Sequence, residues 1–251
     1  MTAFSYQLYS SRMFPPLGDT LKMLADLGYA QVEGYGALLD DADAIDALER
    51  GLQDTGLAMP TSHVSLDMCR DDPARVSELA GRLGLKTAII PYIQPDDRPT
   101  DATGWSAYGA ELARVAKPLA DAGIALGYHN HDFEYRPLAD GHMPIDLILH
   151  ASPDTVLEYD VAWAVRAGAD PMATIAKHGP RILSAHLKDI APAGENADED
   201  GWADVGHGTM DWPALFTALK DAGTTYFVME HDKPSDHHRF ASRALAAAKS
   251  F

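Results

Sequence analysis

The chain has 251 residues, 46% of them hydrophobic, enough to bury one large core and close to the usual length of an α/β barrel. Its 37 acidic and 20 basic residues give a formal net charge of −17, a field that repels phosphate backbones and argues against nucleic acid as the main partner. A single cysteine, Cys69, excludes a disulfide framework within the chain, and residues 1–14 carry neither a basic start nor a long apolar run, so no secretory signal and no membrane segment are expected and the cytoplasm is the default compartment.

A first strand is predicted over Ser5–Ser10, followed by a helix whose Leu17, Leu21, Leu24 and Leu27 share one face, with Pro16 in its first turn. Gly28 then stops the helix, and the strand Gln31-Val32-Glu33 follows. The same unit recurs at Gly56 with a strand from Ala58 to Leu66, and at Gly84 with a strand from Thr87 to Ile93. It returns at Gly123 with Ile124–His131, after a helix over 106–122 in which Pro118 predicts a kink or break. Strands over Thr155–Val161, Ile182–Leu187 (after Gly179) and Thr225–Glu230 (after Gly223) complete the set. Glycine suits each of these stops because it accepts the left-handed conformation without penalty. Asp211 reads as the N-cap of a helix with Pro213 in its first turn. The acidic, glycine-rich stretch Ala191–Met210 reads either as a disordered surface loop or as a lid over the strand ends. Eight strands alternating with helices predict a parallel sheet. No glycine-rich phosphate fingerprint follows the first strand, which counts against an open doubly wound sheet. The expected architecture is one (β/α)₈ TIM barrel domain spanning 1–251.

Barrel active sites lie at the C-terminal ends of the strands. The polar residues there are Glu33, His63, the run His129-Asn130-His131-Asp132-Phe133-Glu134, Glu158-Tyr159-Asp160, His186-Leu187-Lys188-Asp189 and Glu230-His231-Asp232. His63, His186 and Glu230 each stand seven residues after Gly56, Gly179 and Gly223, which predicts one height and one inward direction, since strand side chains alternate with period two. Buried imidazoles and carboxylates at one level call for a compensating partner. A divalent cation supplies one, and the ligand types suit Mn²⁺, Zn²⁺, Co²⁺ or, less well, Mg²⁺. An ion-paired network without metal is the competing reading.

The segment Gly127-Tyr128-His129-Asn130-His131-Asp132-Phe133-Glu134 resembles the fifth-strand signature of a subgroup of the xylose isomerase-like superfamily, which includes sugar phosphate isomerases/epimerases, inosose dehydratases and the more distant AP endonucleases. Glu158-Tyr159-Asp160 with Ala167-Gly168-Ala169-Asp170-Pro171, His186-Leu187-Lys188-Asp189, Val205-Gly206 to Asp211-Trp212, and Val228-Met229-Glu230 extend the resemblance over nearly the whole chain. It implies metal ligation by Asp160, His186 and Glu230. The family's first ligand is a strand-five glutamate, and here His129 occupies that place. Either His129 binds the ion or Glu134 reaches back, and Glu134 is preferred because it restores the family's ligand charge. His129, His131 and Glu134 become candidates for proton transfer, with Lys188 for stabilising an enediolate oxygen. Glu33 and His63 are read as barrel-mouth packing or pocket lining, and Trp163 and Tyr159 as core or sugar floor. The implied function is a metal-dependent sugar isomerase/epimerase abstracting a proton alpha to a carbonyl on a small sugar or cyclitol. The alternative is a dehydratase or lyase on inososes or 3-keto-glycosides. An AP endonuclease-like phosphodiesterase and a non-catalytic sugar-binding barrel rank below both. Members of the family often pair, which allows a homodimer.

Overall fold

Most barrel strands open just after a helix has been stopped. In the computed structural model, which describes residues 2–251, Gly28, Gly56, Gly84, Gly123 and Gly223 take φ values of 93°, 71°, 78°, 78° and 95°, the left-handed region that favours glycine. Gly179 departs from this expectation. Its φ is −45°, and its need is spatial: a Cβ there would lie 2.8 Å from Ala222 Cβ.

The strands are β1 (Phe4–Gln7), β2 (Gln31–Gly34), β3 (Ala58–His63), β4 (Thr87–Ile90), β5 (Ala125–His129), β6 (Val156–Asp160), β7 (Ile182–Leu187), the short β8 (Asp189–Ile190) and β9 (Trp202–Ala203), and β10 (Tyr226–Met229). All but β8 and β9 pair in parallel in a closed ring, with β10 returning to β1 through Phe4↔Phe227, Ser5↔Val228 and Tyr6↔Met229. This is the expected (β/α)₈ barrel. The helices are α1 (Leu17–Leu27), α2 (Ala42–Thr55), α3 (Leu66–Asp71), α4 (Pro73–Leu83), α5 (Ala102–Asp121), α6 (Pro144–Ala151), α7 (Val161–Arg166), α8 (Pro171–His178), α9 (Trp212–Asp221) and α10 (His237–Ala248). No helix among the described residues is long and apolar enough to cross a membrane.

Part of the acidic excess serves the helices. Asp41, Asp101, Asp170, Asp211 and Asp236 accept N–H bonds from Ala44, Gly104, Met172, Ala214 and Arg239, each satisfying an otherwise orphaned donor at a positive helix end. Pro213 stands in the first turn of α9, whereas Pro16 precedes α1 as its cap. Helix α5 runs unbroken through Pro118 to Asp121, against the expected break. Less than one turn follows the proline, so few backbone bonds are at stake.

The stretch after β7 is folded, not disordered. β8 and β9 pair antiparallel, and Trp202, Asp204 and Val205 are buried. The Asp189 carboxylate organises the return, accepting N–H bonds from Ile190, Gly206, Gly208 and Met210 at 2.8, 2.9, 3.1 and 3.2 Å. Gly208 is required there, since a Cβ would fall 2.2 Å from Asp189 Oδ1. Arg239 ties Glu199 (2.9 Å) and Asp204 (3.1 Å) of this excursion to α10.

Candidate metal centre

Contacts between strands that are not neighbours identify the inward side chains. Glu33 at the end of β2 meets His186 of β7, with Oε1 2.8 Å from Nε2. Glu158 of β6 meets His63 of β3, with Oε2 2.7 Å from Nε2. Neither pair of strands is adjacent in the ring, so both contacts cross the barrel interior. Period two then brings Asp160 inward with Glu158, and Lys188 with His186. Glu230 follows β10 directly, and its Oε2 lies 3.0 Å from His186 Nδ1. Of the three residues at the seven-residue offset, His186 thus meets Glu230 directly, and His63 through their shared neighbour Glu158.

Two groups bring ligand atoms within 4.8 Å of one another: Asp160, His186 and Glu230, and His63, His129, Glu158 and His186. His186 belongs to both. All these residues are buried, and Asp160 Oδ2, Glu158 Oε1, Glu33 Oε2 and His129 Nδ1 lack a hydrogen-bond partner among the described residues. Unpartnered buried carboxylate oxygens are costly, and inward oxygens beside imidazole nitrogens are the donor set a divalent cation needs. The residues thus fit a metal ion. Asp160 is held firmly for such a role. Its Oδ1 caps α7 through Trp163 N at 2.8 Å, and its backbone N–H and C=O are both bonded to the Asn130 amide at 3.0 Å.

The electrostatics follow from burial and crowding. Burial disfavours charge on His186, but Glu158, Glu230 and Glu33 outweigh it and hold the imidazole well above its ordinary range. Burial would raise Glu230, yet Lys188 and His186 hold it well below the usual carboxylate range. Glu33 is pushed up to about 7 by burial and the charge of Glu158. Lys188 is fully buried with Nζ 2.6 Å from Asp232, 3.1 Å from Glu230 and 3.6 Å from Asp160. Burial works against its charge, but those carboxylates raise it above its usual value. The Trp163 and Trp202 rings lie 4.9 and 4.3 Å from the same ammonium, so the excursion after β7 forms part of the site's wall.

A cavity of about 340 Å³ opens over the cluster, lined by His63, His129, His131, Glu230 and Asp232 among others, with Tyr9, Tyr35 and Tyr92 as aromatic walls. His131 faces it, packed against Tyr92, Phe133 and Trp163 at ring separations of 4.9, 5.9 and 5.3 Å. Burial, reinforced by His129 and Lys188, holds this imidazole well below its usual range and so neutral.

The structure brings His129 to the cluster and leaves Glu134 outside both groups. Glu134 instead accepts from Tyr128 Oη at 2.5 Å and from His131 N at 2.8 Å. Burial pushes it up to about 7. Tyr159 is fully buried in the core, whereas Trp163 borders the site. Glu158 stands among the strand-end polar residues of the sequence but is given no role there, although its two-residue spacing from Asp160 puts it on the same face. Gln7, which bonds Glu33 Oε1 at 2.8 Å, is not singled out there and has no such signal.

The sequence model of the xylose isomerase-like TIM barrel family matches residues 21–250. A sugar phosphate isomerase/epimerase from Parabacteroides distasonis ATCC 8503 superposes with a TM-score of 0.81 at 20% identity, covering 98% of this chain and 94% of that one. The 3-keto-D-glucoside 4-epimerase YcjR of E. coli gives 0.73 at 17% identity over the whole of both chains. The probable 3-DHS dehydratase AsbF of Bacillus anthracis gives 0.78 at 13%, covering 99% of each. At these identities the likeness is one of fold. The rhizopine catabolism protein MocC of Rhizobium meliloti is 25% identical over 132 residues, 47% of this chain and 40% of that protein.

Proposed function

Because this chain belongs to the xylose isomerase-like TIM barrel family, we propose that it is a divalent-metal-dependent sugar isomerase or epimerase that removes the proton alpha to a carbonyl. The observation that carries this reading is the convergence of Asp160, His186 and Glu230, with ligand atoms within 4.8 Å of one another, under a cavity of about 340 Å³. These three residues would hold the ion. When bound, the ion supplies Lewis acidity, polarising a carbonyl so that the neighbouring C–H is more readily deprotonated.

The chain's own groups do the rest. His131 is the base: its neutral ring faces the cavity, and its backbone is fixed on Glu134. Its ring is held in place by Phe133 and Trp163. Lys188 lies behind the cavity-lining Glu230 and Asp232, keeps its charge there, and through its field, without touching substrate, favours negative charge developing on a substrate oxygen. His63 and His129 also line the cavity and supply a proton of their own at a neighbouring position or on the opposite face, while the proton taken by His131 passes to solvent. The tyrosines present flat apolar faces suited to the C–H face of a sugar ring. No lysine or arginine among the described residues lines the cavity itself, which suits a neutral polyol.

The test is to incubate ketoses, inososes and 3-keto-glycosides with the Mn²⁺-loaded enzyme in D₂O and follow them by NMR, with an EDTA-treated control. Deuterium beside the carbonyl, together with an epimer or aldose product, is expected only in the loaded sample. Loss of water or of a glycosyl group would assign a lyase instead. No turnover on this panel, with cleavage of an abasic DNA duplex, would overturn the reading.

A further inference from the structure

The imidazole of His186 has two edges, and the barrel offers carboxylates to both. Nε2 lies 2.8 Å from Glu33 Oε1 and 3.2 Å from Glu158 Oε2, while Nδ1 lies 3.0 Å from Glu230 Oε2 and 3.8 Å from Asp160 Oδ2. An ion can therefore approach from either edge, and the two ligand groups share this ring by opposite nitrogens. Something must decide between them.

Gln7 supplies the direction. Its Oε1 accepts the backbone N–H of Tyr9 at 3.0 Å, a bond that only the carbonyl end of the amide can accept. The amide's Nε2 is thereby turned to donate to Glu33 Oε1 at 2.8 Å. Gln7 and Glu33 are register partners on adjacent strands, and both are fully buried. Glu33 Oε1 is thus locked as an acceptor, with His186 Nε2 as its second donor.

We propose that Glu33, braced by Gln7, is a positioning residue that keeps Nε2 of His186 as a hydrogen-bond donor and presents Nδ1 to an ion held with Asp160 and Glu230. The inference rests on the metal reading above and decides between its two groups: His63, His129 and Glu158 face a nitrogen that carries a proton and is closed to ligation. A carboxylate on the far nitrogen of a ligating histidine fixes both its tautomer and its orientation.

The test titrates Mn²⁺ into metal-stripped protein by EPR. It also records long-range ¹⁵N–¹H spectra of Zn²⁺-loaded, ¹⁵N-histidine-labelled protein, in which His186→Gln identifies the resonance. In the wild type, Zn²⁺ is expected on Nδ1 with Nε2 protonated. Glu33→Leu should weaken Mn²⁺ binding by roughly 10- to 100-fold and abolish the protected Nε2–H signal, whereas Glu33→Gln, which keeps an acceptor oxygen, should restore most of the affinity. Gln7→Leu should give a smaller loss of the same kind, and it carries the test if Glu33→Leu does not fold. Zn²⁺ on Nε2, wild-type affinity in a folded Glu33→Leu, or no rescue by Glu33→Gln would each overturn the positioning role and leave the metal site standing. Absence of any ion binding by the wild type would remove the metal reading and this inference with it.

Discussion

Lys188→Met tests the electrostatic account most directly. The ammonium is fully buried, 2.6 Å from Asp232 and 3.1 Å from Glu230. At an effective dielectric near 20, such pairs are worth about 6 and about 5 kcal/mol in gross Coulomb energy, set against several kcal/mol for desolvating the ammonium. Methionine keeps the length and apolar packing of the stem between the two tryptophans but strands the carboxylates, and breaking a buried pair in this way costs about 3–5 kcal/mol. In EDTA, Lys188→Met should therefore lose about 3 kcal/mol in urea unfolding. Because the ammonium also competes with an ion for Glu230, the variant should bind Mn²⁺ more tightly than wild type, and saturating Mn²⁺ should recover part of the lost stability. A variant within about 0.5 kcal/mol of wild type in EDTA, inside the range of ordinary surface changes, would refute the reasoning. So would weaker Mn²⁺ binding in a folded protein.

Three further outcomes follow from particular contacts. Glu134→Gln should retain the metal content of wild type by elemental analysis yet slow turnover, since the residue supports His131 and stands apart from both ligand groups. Loss of the ion would return Glu134 to the ligand set. Gly208→Ala, forced against Asp189 at 2.2 Å, should cost about 1–3 kcal/mol and open the excursion to proteolysis near residues 195–200; an unchanged digestion pattern contradicts this. Burial acts to raise Glu199, but its bonds with Ser235 and Arg239 prevail and hold it down to about 2. A depressed folded value means that this contribution to stability is complete above the unfolded value, about 4.5, and is lost as pH falls toward 2. Fluorescence of Trp202 in Glu199→Gln should accordingly lose the part of its acid transition seen in wild type over that window.

The barrel was legible because glycine stops and short apolar runs repeat, and a seven-residue count singled out His63, His186 and Glu230 as strand-end side chains that meet in the interior, although Glu230 stands two positions beyond Val228, the register partner of His186. The count from Gly179 still reaches the inward His186, although that glycine answers to the neighbouring Ala222 and not to a left-handed turn. Strand parity also sets Glu158 on the inward face with Asp160. Parity stops where the strand stops, however. After His129 the chain leaves the sheet, and a short 3₁₀ turn over Phe133–Tyr135 aims Glu134 back at Tyr128 and His131. No local pattern encodes that reversal. Pro118 misled for a related reason: propensity measures a local cost, and the packing of α5 against α6 and β5 overrides it.

The closure of the ring by β1 and β10 also sets an order of events during synthesis. Gln7 and Glu33 leave the ribosome before Asp160 and His186, and Glu230 follows them. Non-local pairings of this kind form slowly. A nascent chain therefore carries its earlier carboxylates and imidazoles without the full constellation until β10 is made, and the proposed metal capture would belong to the assembled strands. On the proposed reading, Asp160, His186 and Glu230 stand on or just past the neighbouring strands β6, β7 and β10, so an ion would be gathered only once β10 has joined β7, and the metal free in the cell at that moment would decide which ion the protein receives.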